Sequence, residues 1–105
     1  MQNYLKSQLP ANISCQQHIS DSIYLSTTIF IPKTYTPNAK HKILRSKNNK
    51  RYIRINFTIP SDTPINQLYI ASYNKCLQST KQIRLSIAKH KLALQLQNIK
   101  SLRRI

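Results

Sequence analysis

The chain reads as all-β: a small five-stranded barrel with an extended N-terminal arm and a basic C-terminal tail. Short runs of β-branched and aromatic residues recur between turn signals. Between those runs lies no strong helical periodicity, so the strands have to close on one another rather than on helices. At 105 residues the chain is one domain with tails.

Residues 1–20 are polar and Gln-rich, and Pro10 opposes any long helix. A short helical turn over Tyr4 to Leu9, then extended chain, makes an arm that offers little to a core. The barrel is expected over residues 21–97. Ser22 to Ile31 is the first strand, stopped by Pro32, and Pro32 to Ala39 is a loop. Pro37 fixes φ there, and Asn38 suits a left-handed turn.

Lys42 to Arg45 is the second strand, joined through a turn at Asn48-Asn49. In a chain without glycine, asparagine is the residue best suited to positive φ. Arg51 to Ile59 is the clearest strand. Ile53, Ile55, Phe57 and Ile59 fall on one face, and Arg54, Asn56 and Thr58 on the other. After a turn at Ser61 to Pro64, Gln67 to Tyr73 is expected as the fourth strand. Ile83 to Ile87 is the fifth, with Ile83, Leu85 and Ile87 inward. Leu92, Leu94 and Leu96 continue an alternation of two, although their composition also suits a helix. Residues 98–105 form a tail carrying Lys100, Arg103 and Arg104. Five short strands fit an oligonucleotide-binding (OB-type) barrel.

Charge limits the function classes. Seventeen Lys and Arg face only Asp21 and Asp62, a net charge of +15. Self-repulsion on that scale opposes compaction unless a partner neutralises it. Nucleic acid is the first partner this implies and an anionic membrane surface the second. Insertion into a membrane is excluded, because no run approaches the roughly 20 apolar residues of a spanning helix. A surface-bound peptide would want one sustained amphipathic helix, which the strand alternation disfavours. The first twenty residues resemble neither a secretory signal nor an Arg-rich transit peptide.

The chain also lacks Gly, Val, Glu and Trp, and keeps five Ala and two Asp. Chemistry rarely forbids Gly and Val together, since Val is an ordinary strand residue. A coding strand depleted in guanine, as in strand-skewed organelle genomes, accounts for the pattern. An AT-rich nuclear gene is the alternative.

No catalytic constellation emerges. Asp21 and Asp62 are far apart and no Glu exists, so no carboxylate pair serves acid–base work. Without glycine there is no nucleophile elbow. Cys15 and Cys76 fit neither a disulfide framework nor a paired-cysteine metal site, and no base beside Cys15 is identifiable. His18, His41 and His90 lack metal-ligand spacing. The reading is a non-enzyme with no cofactor and no metal.

The segment Lys40 to Arg54 stands apart. It carries Lys40, Lys42, Arg45, Lys47, Lys50, Arg51 and Arg54, with His41 and Tyr52 among them and no acid. A run of cations is usually a solvated face. Here the acids that would balance it are missing, and a ring is present to stack on an unpaired base. Contact with RNA follows.

Four motifs resemble one family. Lys6-Ser7, Pro10-Ala11, Cys15 and Gln17 form the pattern K-S-x-x-P-A-x-x-x-C-x-Q. Thr27-Thr28 precede Thr36-Pro37-Asn38-Ala39, a loop followed by basic residues. Ile59-Pro60 lies 23 positions after Pro37, and Ile83 to Lys89 reads I-R-L-S-I-A-K. In this order they resemble the universal small-subunit ribosomal protein S-twelve family, in an organellar, mitochondrial version, over nearly the whole chain. The family's corresponding segments read K-P-N-S-A in the loop and V-R-Y-H-I-V-R in the later strand.

The resemblance implies a barrel whose arm threads through ribosomal RNA and whose loop Thr36, Pro37, Asn38 and Ala39 faces the mRNA–tRNA pairing in the A site. It implies a structural part of the small subunit at the decoding centre, supporting tRNA selection beside neighbouring small-subunit proteins. The organelle-encoded protein would sit in the mitochondrial matrix. A rigid turn with an amide suits the shape-read minor groove of A-form RNA, while cations hold register on phosphates. The expected phosphate contacts are Lys40, Lys42, Arg45, Lys47, Lys50, Arg51, Arg54, Lys81, Arg84 and Lys89, with Lys6, Arg103 and Arg104 as arm and tail anchors. Thr36 and Ala39 replace a Lys and a Ser of the family. Ser79 to Gln82 is a shortened second decoding loop without its Asp or Pro.

The alternative is a free single-stranded RNA-binding barrel, such as an RNA chaperone. It needs stacking aromatics on one sheet face, for which Tyr52 with Tyr69 or Tyr73 is the candidate set.

Overall fold

Ile53, Ile55, Phe57 and Ile59 are all buried, while Arg54, Asn56 and Thr58 are exposed. This alternation makes Arg51–Pro60 the strand on which the fold is built. The structure is a computed structural model that describes residues 6–103, with side chains to Leu102.

The strands are β1 (Ile13–Ile19), β2 (Ser22–Phe30), β3 (Leu44–Arg45) and β4 (Arg51–Pro60). They form a curled antiparallel sheet in the order β1-β2-β4-β3. The register between β2 and β4 is unbroken from Ser22↔Pro60 to Phe30↔Tyr52. Paired residues share a face, so Ile23, Leu25 and Thr27 line up with Ile59, Phe57 and Ile55 on the inner side.

A 3-10 turn at Ile65–Gln67 leads into helix α1 (Leu68–Arg103), which covers that inner face. The core has two parts. Leu68 and Cys76 pack with Leu9, Ile13, Ile23, Leu25, Phe57 and Ile59. Further along, Ile83 and Ile87 pack with Ile31, Tyr35, Ile53 and Ile55.

The expected fourth strand, Gln67 to Tyr73, and fifth, Ile83 to Ile87, are both corrected: Leu68 onward is one continuous helix of 36 residues. The sheet therefore has four strands rather than five, and it stays a half-barrel with a helix across its concave side. The side chains facing the sheet explain why. Leu68, Ser72, Cys76, Thr80, Ile83 and Ile87 recur every three or four residues and are all buried. Two of them are hydroxyls that bond back along the helix, Ser72 Oγ to Leu68 O at 2.7 Å and Thr80 Oγ1 to Cys76 O at 2.7 Å. That leaves no buried side-chain polar atom unpaired among the described residues.

The N-terminal arm is also corrected. Residues 13–19 are the edge strand β1, and Leu9 and Ile13 are buried. Lys6 and Ser7 are helical, in keeping with a turn over Tyr4 to Leu9, whose first two residues lie outside those described. β1 shifts register between Cys15 and Gln17, where Gln16 Nε2 donates to Ser26 Oγ at 2.8 Å. Such a bulge interrupts an exposed edge. At the other end, residues 98–103 continue α1 instead of forming a separate tail. Among the described residues no helix is long and apolar enough to cross a membrane.

Candidate nucleic-acid interface

With α1 on the inner face, the outer face of β2 and β4 is largely exposed among the described residues, with Ser26 buried under Gln16. Alternation places Tyr24, Ser26, Thr28 and Phe30 of β2 there, beside Thr58, Asn56, Arg54 and Tyr52 of β4. Phe30 is 58% exposed and its ring centroid lies 5.7 Å from that of Tyr52, with the planes tilted by 57°. Tyr24 is 43% exposed further along the same strand. Thr28 pairs directly with Arg54, whose guanidinium is exposed next to the ring pair. Aromatic rings and a cation thus share one surface, a combination able to stack on bases and meet phosphates.

The β3–β4 hairpin extends this surface. Ser46 N donates to Lys50 O at 2.9 Å and Asn49 N to Ser46 O at 2.9 Å. Asn49 adopts φ 62°, as expected for the turn at Asn48-Asn49. The turn exposes Lys47 and Lys50, and Arg45 donates to Asn49 Oδ1 at 3.1 Å. A groove of about 470 Å³ opens beside it, lined by Phe30, Lys33, Arg45, Asn49, Lys50 and Arg51 among others.

Arg51, expected as a phosphate contact, is engaged within the chain. Its guanidinium donates to Pro32 O at 2.9 Å, to Lys33 O, and to Tyr35 O at 2.9 Å. A planar fork with several donors can hold three carbonyls at once, so Arg51 clamps the loop after β2.

That loop is docked on α1. Tyr35 is buried, its hydroxyl donates to Ser86 Oγ at 2.7 Å, and its ring meets His90 edge-on at 5.5 Å. Thr34 Oγ1 and His90 Nε2 lie 2.8 Å apart. Pro37 is buried, while Thr36, Asn38 and Ala39 are exposed. Asn38 does not take the left-handed conformation expected of it; among the described residues only Ser20 and Asn49 have positive φ. Instead Asn38 Oδ1 accepts from Lys40 N at 3.2 Å and Asn38 O accepts from His41 N at 2.9 Å. The side chain closes the turn itself, so no positive φ is needed. A cleft of about 490 Å³ lies between this loop and α1, lined by Thr36, Asn38, Lys40 and Gln82 among others.

The cations do not converge on one surface. Arg54 lies on the outer sheet face, Arg45, Lys47 and Lys50 on the β3–β4 hairpin, and Lys40 and Lys42 on the loop that follows Asn38. Lys81, Arg84 and Lys89 are exposed on α1, the opposite layer. Arg84 reaches back to Thr80 Oγ1 at 3.0 Å and Leu77 O at 2.9 Å. Lys6 is exposed before β1; the Arg103 side chain and Arg104 lie outside the described residues. Tyr69 and Tyr73 stack on each other on α1, their centroids 6.5 Å apart, so they do not join Tyr52.

Phe30 and Tyr24 are the functional candidates that sequence reasoning missed. The signal was present: both sit two-residue steps from Thr28 on a strand expected over Ser22 to Ile31 and observed over Ser22–Phe30. No protein-family model, no curated protein and no solved structure matches this chain. The reading of the site therefore stands on geometry and charge. Burial pushes the Cys15 thiol above its ordinary pKa, which makes a ready thiolate nucleophile less available.

Proposed function

We propose that this protein binds RNA through the open sheet face and its hairpin, as a structural constituent of the mitochondrial small ribosomal subunit. The observation that carries the RNA reading is the Phe30–Tyr52 ring pair beside Arg54 on the outer sheet face, where Phe30 and Arg54 are exposed. Rings accept unpaired bases, and Arg54 with Lys47 and Lys50 supplies phosphate contacts. The net charge of +15 favours a partner that neutralises it in bulk, as ribosomal RNA does.

The ribosomal assignment rests on the S-twelve resemblance over residues 6–60. Ile83 to Lys89 no longer contributes, because it is helical where that family's segment is a strand. In this reading Thr36, Asn38 and Ala39 face the mRNA–tRNA pairing of the A site, and the clamp by Arg51 and the docking of Tyr35 hold their loop rigid. Neighbouring small-subunit proteins would complete the surroundings.

A second reading is favoured by the same rings. A free single-stranded RNA-binding protein needs two or three exposed aromatics on one sheet face, and exposed Tyr24 and Phe30, with half-buried Tyr52 against Phe30, supply them. Sedimentation of mitochondrial lysate at moderate and high salt, with this protein followed by mass spectrometry, separates the two. Co-migration with the small subunit through the salt wash supports the ribosomal reading. Release to light fractions, with single-stranded RNA still bound in a manner that requires Phe30 and Tyr52, supports the second. Failure of Phe30→Leu with Tyr52→Leu to weaken RNA binding would sink the sheet face as the site.

A further inference from the structure

Helix α1 carries two apolar stripes, and the sheet covers only one. The buried stripe begins at Leu68 and ends at Ile87. The second consists of Leu85, Ala88, Leu92, Leu96, Ile99 and Leu102, in steps of three or four residues. At about 100° per residue it lies on the far side of the helix from the sheet. Its large members are 48–71% exposed, from Ile99 to Leu102. Every described side chain from Lys91 onward is exposed, so the end of α1 projects past the sheet. A helix of 36 residues is about 54 Å long, which accounts for most of the 60 Å long axis of the molecule.

We propose that this stripe packs against a helix of another protein whose own apolar seam is flanked by Asp and Glu. Leu85, Leu92 and Ile99 are seven residues apart, the repeat that keeps one seam facing a partner helix. Arg84, Lys89, Lys91 and Lys100 border it, and residues 68–103 contain no acid at all. Acidic flanks on the partner are the charge complement.

The other occupants fit less well. A second copy would set cation against cation whether the helices ran parallel or antiparallel. RNA would neutralise the cations and leave the aliphatic side chains in water. A lipid surface favours a broad apolar face with aromatic anchors. Residues 74–103 have no Phe, Trp or Tyr, Gln95 interrupts the stripe, and Leu94 points to another side. The inference is independent of RNA binding, since the stripe and the outer sheet face are on opposite layers.

The test titrates the full chain with a synthetic peptide that has Leu at every a and d position and Glu at every e and g. Mutual repulsion keeps such a peptide from pairing with itself. A one-to-one complex is expected, with the double variant Leu92→Asn, Ile99→Asn bound at least about tenfold more weakly, the loss that burying one or two aliphatic side chains implies. A Lys-flanked peptide should not bind, and Leu94→Asn should leave affinity unchanged. Circular dichroism checks that the variants, all at exposed positions, remain folded. Equal binding by wild type and double variant, or an equal loss with Leu94→Asn, overturns the proposal. So does a stripe-dependent dimer of the chain alone. Binding to phosphatidylserine vesicles that needs Leu92 and Ile99, without peptide binding, assigns the stripe to lipid instead.

Discussion

The Tyr35 hydroxyl donates to Ser86 Oγ at 2.7 Å across 51 residues of sequence. This bond joins the loop after β2 to the middle of α1, with the Tyr35 ring buried beneath it. Loop and helix are therefore one unit, and the exposed side chains of Thr36 and Asn38 are carried on a packed base. Tyr35→Phe should cost about 1 kcal/mol in urea unfolding, the usual worth of one neutral hydrogen bond. Tyr35→Ala removes a buried ring and should cost about 3 kcal/mol or more.

Arg51 and Arg54 should separate stability from binding. Arg51→Lys keeps the charge but loses the fork over three carbonyls, so a cost of about 1–2 kcal/mol and faster amide exchange in residues 33–35 are expected. The Arg54 side chain makes no hydrogen bond among the described residues, so Arg54→Gln should stay within about 0.5 kcal/mol. It should instead weaken RNA binding and make its salt slope shallower, by roughly one unit. An unchanged slope would mean that Arg54 meets only water.

Asn49 has φ 62° without being glycine. Asn49→Gly relieves the steric cost but also loses the acceptor for Arg45, so stability should stay within about 0.5 kcal/mol. Asn49→Ala adds that cost without a side chain able to accept from Arg45, so a loss of about 1 kcal/mol is expected by thermal unfolding.

Helical and extended arrangements of residues 83–87 make opposite demands on Leu85. On α1 it points outward and is 50% exposed, while Ile87 is buried. Leu85→Gln should change stability by less than about 0.5 kcal/mol, and Ile87→Gln should cost about 3 kcal/mol or more. A large loss at Leu85 in the isolated chain would contradict the helix.

The two thiols should differ in how they react. Burial raises the Cys15 pKa from the ordinary 9.0, so its alkylation rate should climb at higher pH than that of a free thiol. The neutral form is the one the fold favours. Stability linked to Cys15 is thus complete at neutral pH and lost as pH rises through its raised value. Cys76 lies in the core and should be alkylated only on unfolding.

Strands β2 and β4 and the turn at Asn49 were legible because each is decided by local rules. Alternation over Arg51 to Ile59 fits one period only, and the turn needs a residue that accepts positive φ. The helix was not, because Ile83 and Ile87 are four apart, and that spacing puts two residues on one side of a strand and of a helix alike. Leu85 would have broken the tie, but its orientation depends on where the sheet lies. The earlier helix contact was hidden differently: Ser72 and Thr80 do not count as apolar until their hydroxyls are seen bonded to the Leu68 and Cys76 carbonyls. A stretch without Pro or Gly from residue 65 onward was the available sign.

Part of the site was legible for the same local reasons. The cations of Lys40 to Arg54 are a matter of composition, and composition alone establishes that the chain is short of acids. Which cations face outward together is a matter of pairing. β2 against β4 brought Phe30 to Tyr52 and Thr28 to Arg54, and no local rule specifies a partner strand. The clamp by Arg51 was not legible, because it depends on three carbonyls of a loop 16 to 19 residues before it.

By itself, then, the sequence determined the charge, the central strands and the turns, because these depend on residue type and near neighbours. Only the tertiary structure decided that the last third of the chain is a helix, which sheet face it covers and which rings it leaves open. Those outcomes turn on burying apolar surface between segments far apart in the chain, a free energy that belongs to the contact and not to either segment.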